Sequence, residues 1–129
     1  MRILLDTQCF LWMHLDPSRL SAKALRLIRK TENDLLLSSV SVWEIVIKHA
    51  LGKLRLPDPP DRYVPSRMAH ASVQAMPIEH AHVLRVGSLP PHHRDPFDRL
   101  LVAQAQIERV AILTSDPQLE AYDVAIVRA

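Results

Sequence analysis

Short apolar runs recur along this chain, and each gives way to a segment whose apolar residues fall at helical spacing, a rhythm that leaves few folds open. Arg2–Leu5, Leu35–Val40, Val73–Met76, Val110–Leu113 and Val124–Val127 read as strands. Cys9–Met13 reads as a helix, and Ser21 caps another over AKALRLIRK, where Leu25, Leu27 and Ile28 make one apolar face and the cations lie outside. Ser41-Val-Trp-Glu44 has the form of a capping box, so a helix should open there with Glu44 in its first turn and stop at Gly52. The prolines between Leu54 and Pro65 predict a loop that leads into a helix around Tyr63–His70, and a further helix is expected over Glu79–Val86. The strongest start signal is Asp95-Pro96-Phe97-Asp98: an acidic N-cap, a proline at the first helical position and a carboxylate three residues on, ahead of RLLVAQAQIE. Strands alternating with helices predict an α/β fold, a parallel-rich central sheet between helix layers, in one domain over residues 1–129.

Composition excludes several other classes. With 48% hydrophobic and 23% charged residues, the chain is neither disordered nor fibrous. Cys9 is the single cysteine, so no internal disulfide is available and a reducing compartment is favoured. It reads as a buried small hydrophobe rather than a nucleophile, because no cation stands near it in sequence to lower its pKa. Asp6 interrupts the apolar N-terminal run, no small-residue cleavage site follows, and no segment approaches the roughly 20 apolar residues of a spanning helix. A soluble, cytoplasmic protein is expected. The formal charge of +2 is too small for global attraction to nucleic acid, so any such partner must be met by a local site.

In a parallel sheet the strand C-termini and helix N-termini gather on one edge, where α/β proteins place their sites. Asp6 and Asp116 follow strands onto that edge, and Glu44 and Asp98 begin helices from it, whereas Asp34 and Asp123 precede strands and fall on the opposite edge. Taken singly, Glu44 and Asp98 are explained by helix capping and Asp6 and Asp116 by turn formation. Four converging carboxylates, however, repel one another, and hard divalent cations such as Mg²⁺ or Mn²⁺ relieve that repulsion through oxygen ligands. Such ions activate water and neutralise the charge growing on a phosphodiester, which is nuclease chemistry. Asp95 is explained fully as the N-cap before Pro96.

LLDT and FLW near the start, SVWEI with IKHALGKL, the phrase LPPHHRDPFDRLLVAQA and the late LTSD resemble, in order and spacing, the PIN-domain proteins of the VapC type. The resemblance implies a PIN fold whose acidic pocket binds Mg²⁺ or Mn²⁺ and cleaves RNA, with Asp6, Glu44, Asp98 and Asp116 as catalytic and metal-binding residues. It implies a toxin that pairs as a homodimer and is silenced by a cognate antitoxin lying in a groove near the pocket. The helix bearing Phe10, Leu11 and Trp12 is a candidate wall of that groove, while Trp43 is expected in the core. Gln8 stands where relatives commonly have histidine, and Ser115 where a charged residue is frequent; neither change removes a carboxylate. The hydroxyls of Thr7 and Ser115 flank the cluster and either orient a carboxylate or close a turn. His93, Arg94 and Arg99 surround Asp98 and are read either as phosphate contacts or as solvated loop charges. Two other functions compete: a housekeeping RNA-processing nuclease without antitoxin, and a non-catalytic metal-binding signalling module, the latter disfavoured because the first strand ends in one aspartate rather than a pair.

Overall fold

A computed structural model describes residues 1–129. Strands β1 (Arg2–Leu5), β2 (Asp34–Ser38), β3 (Val73–Met76), β4 (Ala111–Thr114) and β5 (Ile126–Arg128) form one sheet in the order β3-β2-β1-β4-β5. Every pairing is parallel, as the intervening helices require. Those helices are α1 (Thr7–Leu15), α2 (Ala22–Arg29), α3 (Ser39–Ala50), α4 (Pro60–His70), α5 (His80–Val86) and α6 (Pro96–Glu108), with short 3₁₀ turns at Pro17–Arg19 and Pro117–Ala121.

The central strands are apolar without alternation because both sheet faces are covered. Ile3, Leu5, Leu35, Leu37 and Leu113 pack on one face with Cys9, Phe10 and Leu11 of α1, Ala24 of α2, and Tyr63 and Val64 of α4. Leu4, Leu36 and Ile112 face the other way, onto Leu101, Val102 and Ala105 of α6, with Leu119 and Tyr122 beyond. Helix α3 contributes Ile45 to the first core and Val40 to the second, since it rises directly from the strand edge between them. Full burial of a leucine-sized side chain is worth about 1.5–3 kcal/mol, so these two layers hold the edge carrying the acids in place. No helix is long and apolar enough to cross a membrane.

Several local expectations are corrected. Strand β2 ends at Ser38, not Val40, because Ser38 closes the pairing with Met76 and its Oγ then caps α3 by accepting from Val40 N at 3.0 Å. Ser41 therefore lies inside the helix, and Glu44 sits in its second turn rather than its first. The reciprocal capping box occurs instead at α5, between Glu79 and His82. Helix α4 starts at Pro60, a first position where a missing N–H costs nothing, and carries Pro65 in its interior. β4 lies one residue later than its apolar run suggested, and β5 starts two residues later and ends one later. Trp43 is not core: it is 57% exposed and meets Phe97 edge-to-face at 5.1 Å.

Candidate active site

Asp6 leaves β1 as the N-cap of α1, with its Oδ1 accepting from Cys9 N at 2.7 Å and its Oδ2 from the Thr114 hydroxyl at 2.6 Å. Only 7% exposed, its carboxyl is pushed up by burial; the bonds from Thr114 and Cys9 oppose this, and the charge of Glu44 adds to it. Burial and the neighbouring Asp6 push the Cys9 thiol up as well, which removes it as a nucleophile. Thr114 reads both sides of the site, since its Oγ1 also accepts from Asp116 N at 3.0 Å.

Asp98 and Asp116 converge on one imidazole. His93 Nε2 lies 2.8 Å from Asp116 Oδ2 and 3.1 Å from Asp98 Oδ2. Its Nδ1 accepts from Asp95 N at 3.1 Å, so in the neutral ring the proton is on Nε2, which donates to the aspartates. The ligand-type atoms of His93, Asp98 and Asp116 all lie within 4.8 Å of one another. Burial, then the charge of Asp95, pushes the Asp98 carboxyl up to about 7; His93 opposes, and Asp6 and Glu44 raise it further. The buried Glu44 is met by Lys48 one turn on, Nζ to Oε2 at 2.6 Å. That bond, with Asp95 and Asp98 adding, holds the Lys48 ammonium above its usual range. Asp6, Glu44 and Asp98 thus share one electrostatic field, while Asp116 joins it through His93.

Other residues singled out from sequence have different places. Thr7 Oγ1 is buried with no partner, and Ser115 is exposed with no side-chain hydrogen bond, so the hydroxyl aimed at the acids is that of Thr114. His93 faces the carboxylates rather than solvent. Arg99 is not available to phosphate: its guanidinium donates to the carbonyls of Val86, Leu89, Pro90 and His93 and to the Tyr122 hydroxyl, at 3.0–3.5 Å. Arg94 is exposed and its guanidinium makes no hydrogen bond within the chain. Asp95 caps α6 through Phe97 N at 2.8 Å and Asp98 N at 3.4 Å. Thr114 and Lys48 were missed from sequence. The position of Lys48, four residues after Glu44 on a helix, was the signal for one, and nothing short of the strand register marks the other.

The sequence profile of the PIN domain matches residues 3–125. The ribonuclease VapC16 of Mycobacterium tuberculosis is 40% identical over 68 residues, 50% of this chain and 48% of that protein, so the chain spans about half the length of this curated relative. The fold is similar to VapBC2 from Rickettsia felis, solved bound to a promoter DNA fragment, with a TM-score of 0.74 at 13% identity over 99% of this chain and 98% of that one. It is similar also to DNA-bound VapBC from Salmonella typhimurium, with a TM-score of 0.69 at 15% identity over 99% and 98% of the two chains. FitAcB from Neisseria gonorrhoeae aligns with a TM-score of 0.65 at 20% identity over 96% and 95%. A family profile that runs from Ile3 in β1 through β4 and ends just before β5, on the parallel sheet whose edge carries Asp6, Glu44, Asp98 and Asp116, establishes that this chain belongs to the PIN-domain family.

Proposed function

We infer that the chain is a metal-dependent endoribonuclease and the toxin of a VapC-type toxin–antitoxin pair. The observation that carries this reading is the acid cluster itself: buried or half-buried Asp6, Glu44 and Asp98 acting on one another, with Asp116 drawn to Asp98 through His93. The donor set fits a hard cation, because every carboxylate offers oxygen, and the Asp98 carboxyl, raised first by burial and then by the charges of Asp95, Asp6 and Glu44, sits where a divalent ion would favour its ionised form. Asp6, Glu44, Asp98 and Asp116 would hold Mg²⁺ or Mn²⁺, and His93, with its N–H toward the acids, serves as donor rather than ligand. When bound, the ion supplies charge neutralisation at a phosphodiester and lowers the pKa of water.

The chain's own groups do the rest. Thr114 and Cys9 N–H fix both oxygens of Asp6, and His93 orients the two aspartates across from it. A pocket carboxylate takes the proton of the attacking water as the phosphorus–O3′ bond breaks, and the departing 3′ oxygen takes up a proton from solvent water, leaving a 5′-phosphate and a 3′-hydroxyl. Arg94, exposed, without a hydrogen-bond partner in the chain and next to His93 in sequence, is our candidate phosphate contact. A homodimer and a cognate antitoxin go with this reading, as does a cytoplasmic setting for a chain with one cysteine. Exposed Trp43 and Val46 on α3, and Val83 and Leu84 on α5, supply apolar surface for such partners. The test is cleavage of RNA by purified protein with Mg²⁺ or Mn²⁺: it should stop with a chelator and leave 5′-phosphate ends. Metal-independent cleavage that yields a cyclic phosphate would overturn the reading.

A further inference from the structure

A polar chain, buried from Ser38 through Gln104 to His82 and ending in half-buried Glu108, links the helices that carry two of the acids and has no part in the reading above. Ser38 Oγ lies 2.5 Å from Gln104 Oε1, and both residues are 0% exposed. Ser38 is the N-cap of α3, which carries Glu44; Gln104 is on α6, which carries Asp98. Each acid stands six residues from its end of this link, roughly 9 Å along its helix. The amide is anchored at its other end too, where Nε2 reaches Pro77 O at 3.3 Å and His82 Nδ1 at 3.4 Å. His82 Nδ1 also accepts from Glu79 N at 3.0 Å, so Nε2 holds the proton and donates to Glu108 Oε1 at 2.9 Å. A second contact joins the same helices at the surface, Trp43 against Phe97, each the immediate neighbour of an acid.

We propose that Gln104 is a positioning residue: its bond to Ser38 sets the spacing of the two carboxylate-bearing helices and thereby the ion affinity of the pocket. A carboxylate pair binds a small hard ion well only at one separation, and a short bond between dry groups is directional where an apolar contact is not. Trp43 and Phe97 are partly solvated and allow sliding; the bond between Ser38 and Gln104 does not.

The proposal rests on the metal-dependent reading, and the experiment separates the two. Mn²⁺ binding to the folded, full-length protein is measured by calorimetry and by electron paramagnetic resonance of the free ion, well below the melting temperature. Gln104→Leu should raise the Mn²⁺ dissociation constant several-fold, because the two carboxylates would no longer be held at the separation a small hard ion needs. Ser38→Gly removes the other partner at little cost to the cap, since glycine is tolerated there, and should weaken binding likewise; it serves alone if Gln104→Leu does not fold. Leu20→Ala, a core substitution away from the bridge, should lower the melting temperature while leaving the affinity unchanged. If Gln104→Leu or Ser38→Gly melts earlier but binds Mn²⁺ as wild type does, the link is merely structural and the proposal is wrong. If wild type binds no Mn²⁺, the nuclease reading itself has failed.

Discussion

Asp95 and Asp98 stand within one helical turn, yet their surroundings give them different work. Asp95 accepts from two backbone N–H groups, whereas Asp98 turns toward His93 and the other acids. Asp95→Ser should retain cleavage and lose little stability, because serine caps nearly as well, while Asp98→Asn should reduce cleavage to background in an RNA assay. The raised Asp98 carboxyl also sets a pH dependence. Its folded pKa of about 7 exceeds its ordinary 3.8, so the native state holds the proton more tightly than the unfolded chain. The associated stability is complete below the unfolded value and is lost as pH rises toward and through 7. Metal-free protein should therefore melt at falling temperatures from pH 4 to 7.5, and Asp98→Asn should flatten that slope, gaining on the order of 1–3 kcal/mol at neutral pH once partial solvent access is allowed for. A variant less stable than wild type at pH 7 would show that Asp98 acts as a cap. At this scale the four acids were legible because their residue type and edge are. The partners that hold them, Thr114 and Lys48, were not, since a hydroxyl or an ammonium becomes a site group only through a contact that sequence does not display.

The loop between α5 and α6 shows how one side chain can replace a length of secondary structure. Arg99 binds three of its carbonyls and that of Val86 at the end of α5, and Tyr122 OH accepts from His93 N at 2.9 Å, so the segment carrying His93 is held from both sides. Lysine cannot reproduce that fork, and Arg99→Lys should cost about 2–3 kcal/mol and speed amide exchange over residues 86–95 in hydrogen-exchange mass spectrometry. Undisturbed exchange would mean that the loop is held by packing alone. The start of α6 was plain in the sequence because aspartate, proline and aspartate each prefer the position they take. The start of α3 was misplaced for an equally physical reason: Ser38, Ser39 and Ser41 are all competent caps, and the choice among them is made by where the pairing of β2 with β3 ends. Trp43 was misjudged because a helix with two apolar faces does not say which one the sheet covers.

Across the molecule, the alternation of strands and helices made the parallel sheet predictable, but the strand order β3-β2-β1-β4-β5 is a product of tertiary packing. Mn²⁺ at ten times its dissociation constant should stabilise the wild type by about 1.4 kcal/mol, a rise in melting temperature of roughly 2–6 °C. Asp98→Asn should show a smaller rise in the same thermal scan, and an equal one would place the ion elsewhere. The bond from Thr114 to Asp6 joins residues 108 positions apart, and β1, made before the other four strands, gains β4 as a neighbour only after every helix between them has been synthesised. A nascent chain whose residues 111–116 are still inside the ribosome therefore lacks the hydroxyl that orients Asp6, the carboxylate of Asp116 and one of the two strands that flank β1. Under the proposed function, such a chain does not yet have the complete cluster that would cut the RNA around it.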